Sequence, residues 1–301
     1  MSPPHHAAGT SMRTESSLRP ILMAGMGVSC FSFLDASTKF VAGAYPLMQV
    51  VGMRYGVGAF FAVLVYLCFG DGWPSWEAIR RNLLRSVITL GTAACFFTAL
   101  ARLPLVEAIT LSFLAPLLMA LLGRLILKEP IGFGTLVGIG VGFAGVVVIA
   151  RGQNSGSTRD FDLVGLLAAL GCALFYALSM VLMRKQTSRD SLMTIVFLSN
   201  CWCFLIILPL GLVQWQPVAP MHWLAIVPAG FFGTCGNLCM AWAYARAPAG
   251  RLAILEYLAF IWALTLGYFI FAETPTSWTL AGAVLIMAAC LFATFTKNRP
   301  A

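Results

Sequence analysis

Charge is what this 301-residue chain lacks most. Lys, Arg, Asp and Glu together make up 10% of it, where a soluble domain carries about 25%. Histidine is nearly absent: His5 and His6 sit in a polar N-terminal stretch and His222 at a helix entrance. No His-Glu-x-x-His, Ser/His/Asp set or Cys/His zinc spacing occurs, so neither a metal nor a catalytic centre is expected. No Gly-x-x-x-x-Gly-Lys-[Ser/Thr] loop occurs either, which excludes a P-loop ATPase. The sequence therefore predicts no enzyme and no cofactor. The net charge of +8 comes without a basic stripe interleaved with aromatics, so nucleic acid is not an expected partner. Most of the nine cysteines lie inside apolar runs, and Cys201-Trp-Cys203 is not a zinc spacing; they read as small buried hydrophobes.

What is present is apolar. Hydrophobic residues make up 60% of the chain, against roughly 45–50% for a soluble domain. A spanning helix needs about 20 mostly apolar residues. Such runs fall at about 20–41, 47–69, 84–101, 104–126, 132–150, 163–183, 191–212, 221–245, 248–271 and 277–296. Turn chemistry separates them: Asp71-Gly-Trp-Pro74, Lys128-Glu129-Pro130, the Gly/Ser/Asp stretch at 151–162, Gln216-Pro217 and Thr274-Pro275. Trp73, Trp76, Trp215, Trp223 and Trp278 stand at these ends, as interfacial tryptophans do. With the N-terminus inside, fourteen of the nineteen Lys and Arg face the cytoplasm and five face outward, which predicts both termini cytoplasmic.

The chain repeats itself at an offset of 144 residues. Ala99-Leu-Ala-Arg102-Leu-Pro104 falls on Ala243-Tyr-Ala-Arg246-Ala-Pro248, and residues 99–129 share 11 identities with 243–273 without a gap. The same offset pairs Cys95 with Cys239, Gly27 with Gly171 and Gly138 with Gly282. Each unit has five spans, so two copies in tandem enter the membrane in opposite directions. The expected fold is thus an all-α integral membrane protein, ten transmembrane helices as two inverted five-helix repeats at 20–150 and 163–296. A disordered cytoplasmic tail at 1–19, a linker at 151–162 and a short tail at 297–301 complete the expected organisation. Inverted repeats are characteristic of secondary transporters.

These features resemble the drug/metabolite transporter superfamily, in the branch with two EamA-type domains. The turns at Ala101-Arg102-Leu-Pro104 and Ala245-Arg246-Ala-Pro248 carry the likeness. So do the helix endings Gly123-Arg-Leu-Ile-Leu-Lys-Glu129 and Gly267-Tyr-Phe-Ile-Phe-Ala-Glu273. The resemblance implies a central cavity lined by the first, third and fourth helices of each half, the fifth and tenth outside it, and ATP-independent movement of small metabolites. The chain departs from the family at one point: Pro116 in the first copy is matched by Phe260 in the second. The second copy instead carries Glu256-Tyr257 one turn earlier, and a different kink or substrate contact is expected there.

Ionisable groups inside spans are costly and mark function by default. Glu256, eight residues past Pro248, is the first candidate: a partner for a substrate amine or a proton-coupling acid, against a structural acid paired to Arg251 or to an Asn. Arg54 is read as a hold for a substrate carboxylate, against an ion pair with Asp35 or Glu107. Asp35 and Lys39, four apart on one helix face, are a gate or substrate contact, against a self-satisfied pair. Glu107 is a substrate group or a stabiliser of a helix N-terminus. Asn237, Tyr176 and Tyr257 are further candidates for the cavity wall. The expected function is an exporter of a small polar or zwitterionic metabolite, an amino-acid derivative or opine-like metallophore, in the inner (plasma) membrane. The alternatives are an uptake carrier for a nucleoside-like, S-adenosylmethionine-like or vitamin solute, and a non-transporting membrane scaffold. The partners expected are a small-molecule substrate and the lipid bilayer, with protons the candidate coupling ion and a homodimer left open.

Overall fold

In the computed structural model, residues 18–70, 72–127, 133–154, 162–186, 190–244, 246, 255 and 257–297 are described. Their elements are helices: α1 (Leu18–Val41), α2 (Leu47–Phe69), α3 (Trp76–Arg102), α4 (Leu105–Ser112), α5 (Ala115–Leu127), α6 (Phe133–Asn154), α7 (Leu163–Gln186), α8 (Leu192–Val213), α9 (Pro220–Tyr244), α10 (Leu258–Phe271) and α11 (Ser277–Lys297). By length and composition, seven stretches qualify as membrane spans, counting Leu105–Ile126 as one. Three shorter apolar helices, Leu136–Gly152, Leu258–Phe271 and Ser277–Ala293, lie where the remaining spans are expected.

Local chemistry sets the ends. Ser75 and Ser191 cap α3 and α8 by accepting from the amides of Ala78 (3.2 Å) and Thr194 (3.3 Å). Asp162 caps α7 by accepting from Gly165 N (2.8 Å), and that bond, helped by Arg102 at 3.2 Å, holds its carboxyl below the usual range. Pro46 and Pro104 start α2 and α4, where a missing amide costs nothing. α3 begins two turns before the expected boundary at 84. Its first turns carry Arg80, Arg81 and Arg85, which are tolerated where the helix leaves the hydrocarbon.

The packing crosses the sequence midpoint. α1 lies against α9 and α10, while α7 lies against α3, α4 and α5; α2 packs on α8 and α6 on α11. Small residues let the backbones meet. A methyl on Gly27 would lie 3.3 Å from Cys239 Cβ, and one on Gly171 would lie 3.2 Å from Cys95 Sγ. These are the two residue pairs of the 144-residue repeat with partners exchanged. The α6–α11 contact is as close: a methyl on Gly282 would lie 2.8 Å from the Gly145 carbonyl oxygen, and one on Gly138 would lie 3.0 Å from that of Ala289.

Large apolar side chains are exposed around the outside, among them Leu67, Val213 and Phe269. Water would not favour such a surface, but lipid would. The α6–α11 crossing has no room for more bulk. Gly282→Val is expected to destabilise the fold by about 1–3 kcal/mol through overpacking, read as a lower midpoint of thermal unfolding in detergent. Gly140→Ala, on the same helix pair but with open space around it, is the matched control.

Candidate functional site

The fourth expected span is broken. Pro116 has no amide to continue the helix, so α4 stops at Ser112 and Phe113 and Leu114 form a turn before α5. Leu114 and Leu117 donate back three residues, to Leu111 O and Leu114 O, both at 3.1 Å. In the second half a turn residue, Tyr257, precedes α10 in the same register, without a proline. Tyr257 (φ −68°, ψ −14°) repeats the backbone of Phe113 (φ −65°, ψ −5°), and Phe260 donates back three residues to Tyr257 O at 3.1 Å. The turn at Tyr257 thus forms without a proline, while the residues that would set the kink before it lie outside the described residues. Phe113 and Tyr257 are equivalents under the 144-residue offset, and their rings meet edge-on with centroids 5.6 Å apart.

Two opposite charges lie beside these breaks. Arg54 is seven residues into α2, about 10 Å from its start. Its guanidinium lies 4.2 Å from the Tyr55 ring centroid and 5.9 Å from that of Phe97. Nε and Nη1 are buried without a hydrogen-bond partner among the described residues. Asp35 lies six residues before the end of α1, at a matching depth, within reach of the Arg54 charge. Among the described residues Asp35 makes neither a hydrogen bond nor an ion pair. The fixed Arg54 ion pair with Asp35 or Glu107 that the sequence offers is not formed here: Arg54 rests on aromatic faces instead. Cys172 of α7 lies against Ser112 at the end of α4 and also faces Asp35. The two charges thus have neighbours on α1, α2, α3 and α7.

Lys39 goes elsewhere. Its ammonium lies 2.8 Å from Glu273 Oε1 and donates to Leu103 O at 2.8 Å. The shared helix face with Asp35 is real, but the ion pair forms across the fold. Glu107, buried in the first turn of α4, accepts from Thr279 Oγ1 of α11 at 3.0 Å. Asn237 donates to Gly233 O of its own helix (3.0 Å). Tyr176 stands exposed on α7 beside Leu174 and Phe175. Glu256 lies outside the described residues, as does Arg251.

Three features escape a reading of single residues. Gln49 is fully buried and clasps the Gln216 backbone at both ends, donating to its oxygen (2.7 Å) and accepting from its nitrogen (3.0 Å). Trp262 Nε1 donates to Ser29 Oγ at 2.9 Å, joining α10 to α1. Arg85 is buried in α3, with one nitrogen 3.4 Å from both Asn82 Oδ1 and Ile195 O. Only Arg85 carried a signal, a charge at a span's edge.

A family model described as the EamA-like transporter family matches residues 18–151 and again 163–295. The chain belongs to the EamA-like transporter family. A pseudopaline exporter of Pseudomonas aeruginosa is 26% identical over 284 residues, covering 92% of this chain and 96% of that one. An S-adenosylmethionine uptake transporter of Rickettsia felis is 26% identical over 292 residues, covering 92% and 94%. A solved crystal structure superposes with a TM-score of 0.66 at 21% identity, covering 93% of this chain and 99% of that chain, which speaks to fold alone. Membership makes this a multi-pass transporter, and its relatives are transporters rather than enzymes.

Proposed function

We propose that this EamA-like protein is a secondary transporter that exports a small zwitterionic metabolite across the inner membrane, with ten spans in two inverted repeats and both termini cytoplasmic. One observation carries the reading. Phe113 and Tyr257, equivalent in the repeat, are both turn residues beside a helix end, and their rings touch across the halves. Transporter solute sites lie near the midplane where the repeats meet, at discontinuous helices. The exchanged pairing of α1 with α9 and α7 with α3 supports inverted repeats, because such an exchange is what a two-fold relation between halves produces. Asp35 and Arg54, opposite in charge and each with unused bonding capacity, suit a solute bearing both an ammonium and a carboxylate.

The pseudopaline exporter favours export. The S-adenosylmethionine uptake transporter favours the second reading, uptake of a solute that is itself an amino-acid derivative. Glu256, one residue before Tyr257, is proposed as a partner for the substrate amine or a proton-coupling acid. Glu256→Gln is expected to abolish or uncouple flux in proteoliposomes while leaving membrane insertion intact. Normal flux with an unchanged pH dependence removes Glu256 from the mechanism.

A further inference from the structure

We propose that Lys39 and Glu273 form a latch that shuts the outer end of the cavity, makes the inward-facing state the resting one, and so loads solute from the cytoplasmic side. This rests on the transport reading and on the orientation given by the charge bias. The latch joins α1, the end of α10 and the α3–α4 turn, elements that the family resemblance places beside the central cavity. Lys39, at the end of α1, reaches Glu273 Oε1 and Leu103 O, both at 2.8 Å. Glu273, just past α10, accepts from Leu105 N at the start of α4 through Oε2, at 2.8 Å. The side chains are 10% and 14% exposed, so the pair is screened far less than a surface ion pair. The Phe271 ring lies 5.3 Å from the ammonium.

The backbone holds the carboxylate in place. Ala272 adopts a left-handed conformation (φ 52°, ψ 31°), which a residue with a Cβ takes only at an energetic cost. That turn ends α10 and carries Glu273 back toward α4, with Glu273 N donating to Gly267 O at 2.9 Å.

The sequence does not duplicate the lysine. At the 144-residue offset the acid recurs as Glu129, but the lysine is replaced by Met183; Arg184 falls in register with Phe40. In an inverted repeat the two ends exchange conformations between the inward-open and outward-open states. An attraction built at one end alone lowers the energy of the state in which that end is closed, and shifts the population toward it. An otherwise symmetrical scaffold thereby acquires a preferred direction of loading.

The test uses the full chain in lipid nanodiscs and reads amide hydrogen exchange by mass spectrometry. Lys39→Met removes the ammonium. Glu273→Gln keeps an acceptor for Leu105 N but removes the charge, so it separates the latch from the helix cap. Both variants are expected to speed exchange in segments 42–46 and 103–106 about tenfold, as the closed population falls. The Glu77–Arg81 end serves as the internal reference and should not accelerate. Unchanged exchange at the outer segments in both variants overturns the latch, whatever the flux. Acceleration at both ends alike also overturns it, because that is general loosening. If outer exchange rises as expected but wild-type vesicles carry no solute, the transport reading fails and the latch stands as a structural clasp.

Discussion

Arg54→Met should lower transport about 10- to 100-fold while leaving the protein at least as stable as wild type. The range corresponds to losing a charge-assisted hydrogen bond of about 1.5–3 kcal/mol to the solute. The stability half of the expectation follows from the geometry. Nε and Nη1 are buried without partners among the described residues, and the guanidinium lies over the Tyr55 and Phe97 rings. Replacing a poorly satisfied buried charge with an apolar side chain of similar length is often neutral or stabilising. A residue kept for structure shows the reverse, intact transport per folded molecule and a lower unfolding midpoint. Arg54→Lys should impair transport nearly as much as Arg54→Met, because an ammonium cannot reproduce the planar fork. Flux in proteoliposomes, with thermal unfolding of the same preparation, reads both halves.

The second large effect is expected at Asp35. Asp35→Asn should reduce flux of an amine-bearing solute by about tenfold or more, since a bond to a charged group is worth about 1.5–3 kcal/mol. The loss should show mainly as a raised half-saturating concentration, because Asp35 makes neither a hydrogen bond nor an ion pair among the described residues and holds no described element in place. A double variant, Asp35→Asn with Arg54→Met, tests whether the two act on one solute. If they do, the combined loss is smaller than the product of the single losses. Full multiplicativity assigns them to separate events.

Much of the helix layout was legible because apolar runs in lipid are long and their ends are chemically marked. The run at 47–69 coincides with α2, and 163–183, 191–212 and 277–296 fall within three residues of α7, α8 and α11. The break at Phe113 was legible from Pro116. The turn at Tyr257 was not, since Phe260 has an amide and donates it back to Tyr257 O. Local spacing brought Asp35 and Lys39 together on one face. The partner that Lys39 takes, Glu273, is 234 residues away and reachable only once α1 packs beside α10. The 144-residue offset held a further clue: residues that touch their own repeat equivalent mark where the halves meet, as Phe113 and Tyr257 do. Gln49 gave no signal, because a lone polar residue in a span looks the same whether it faces a solute or a backbone.

Central to all of this is that the two halves trade places around a bound zwitterion without ATP. ATP-free counterflow in proteoliposomes tests it most directly, with labelled S-adenosylmethionine and a panel of amino-acid derivatives, in wild type and Arg54→Met side by side. Saturable exchange in the wild type, competed by unlabelled zwitterion and reduced at least tenfold in Arg54→Met, is the expected result. Wild-type vesicles that bind a zwitterion yet show no exchange, or exchange that Arg54→Met leaves untouched, would contradict it.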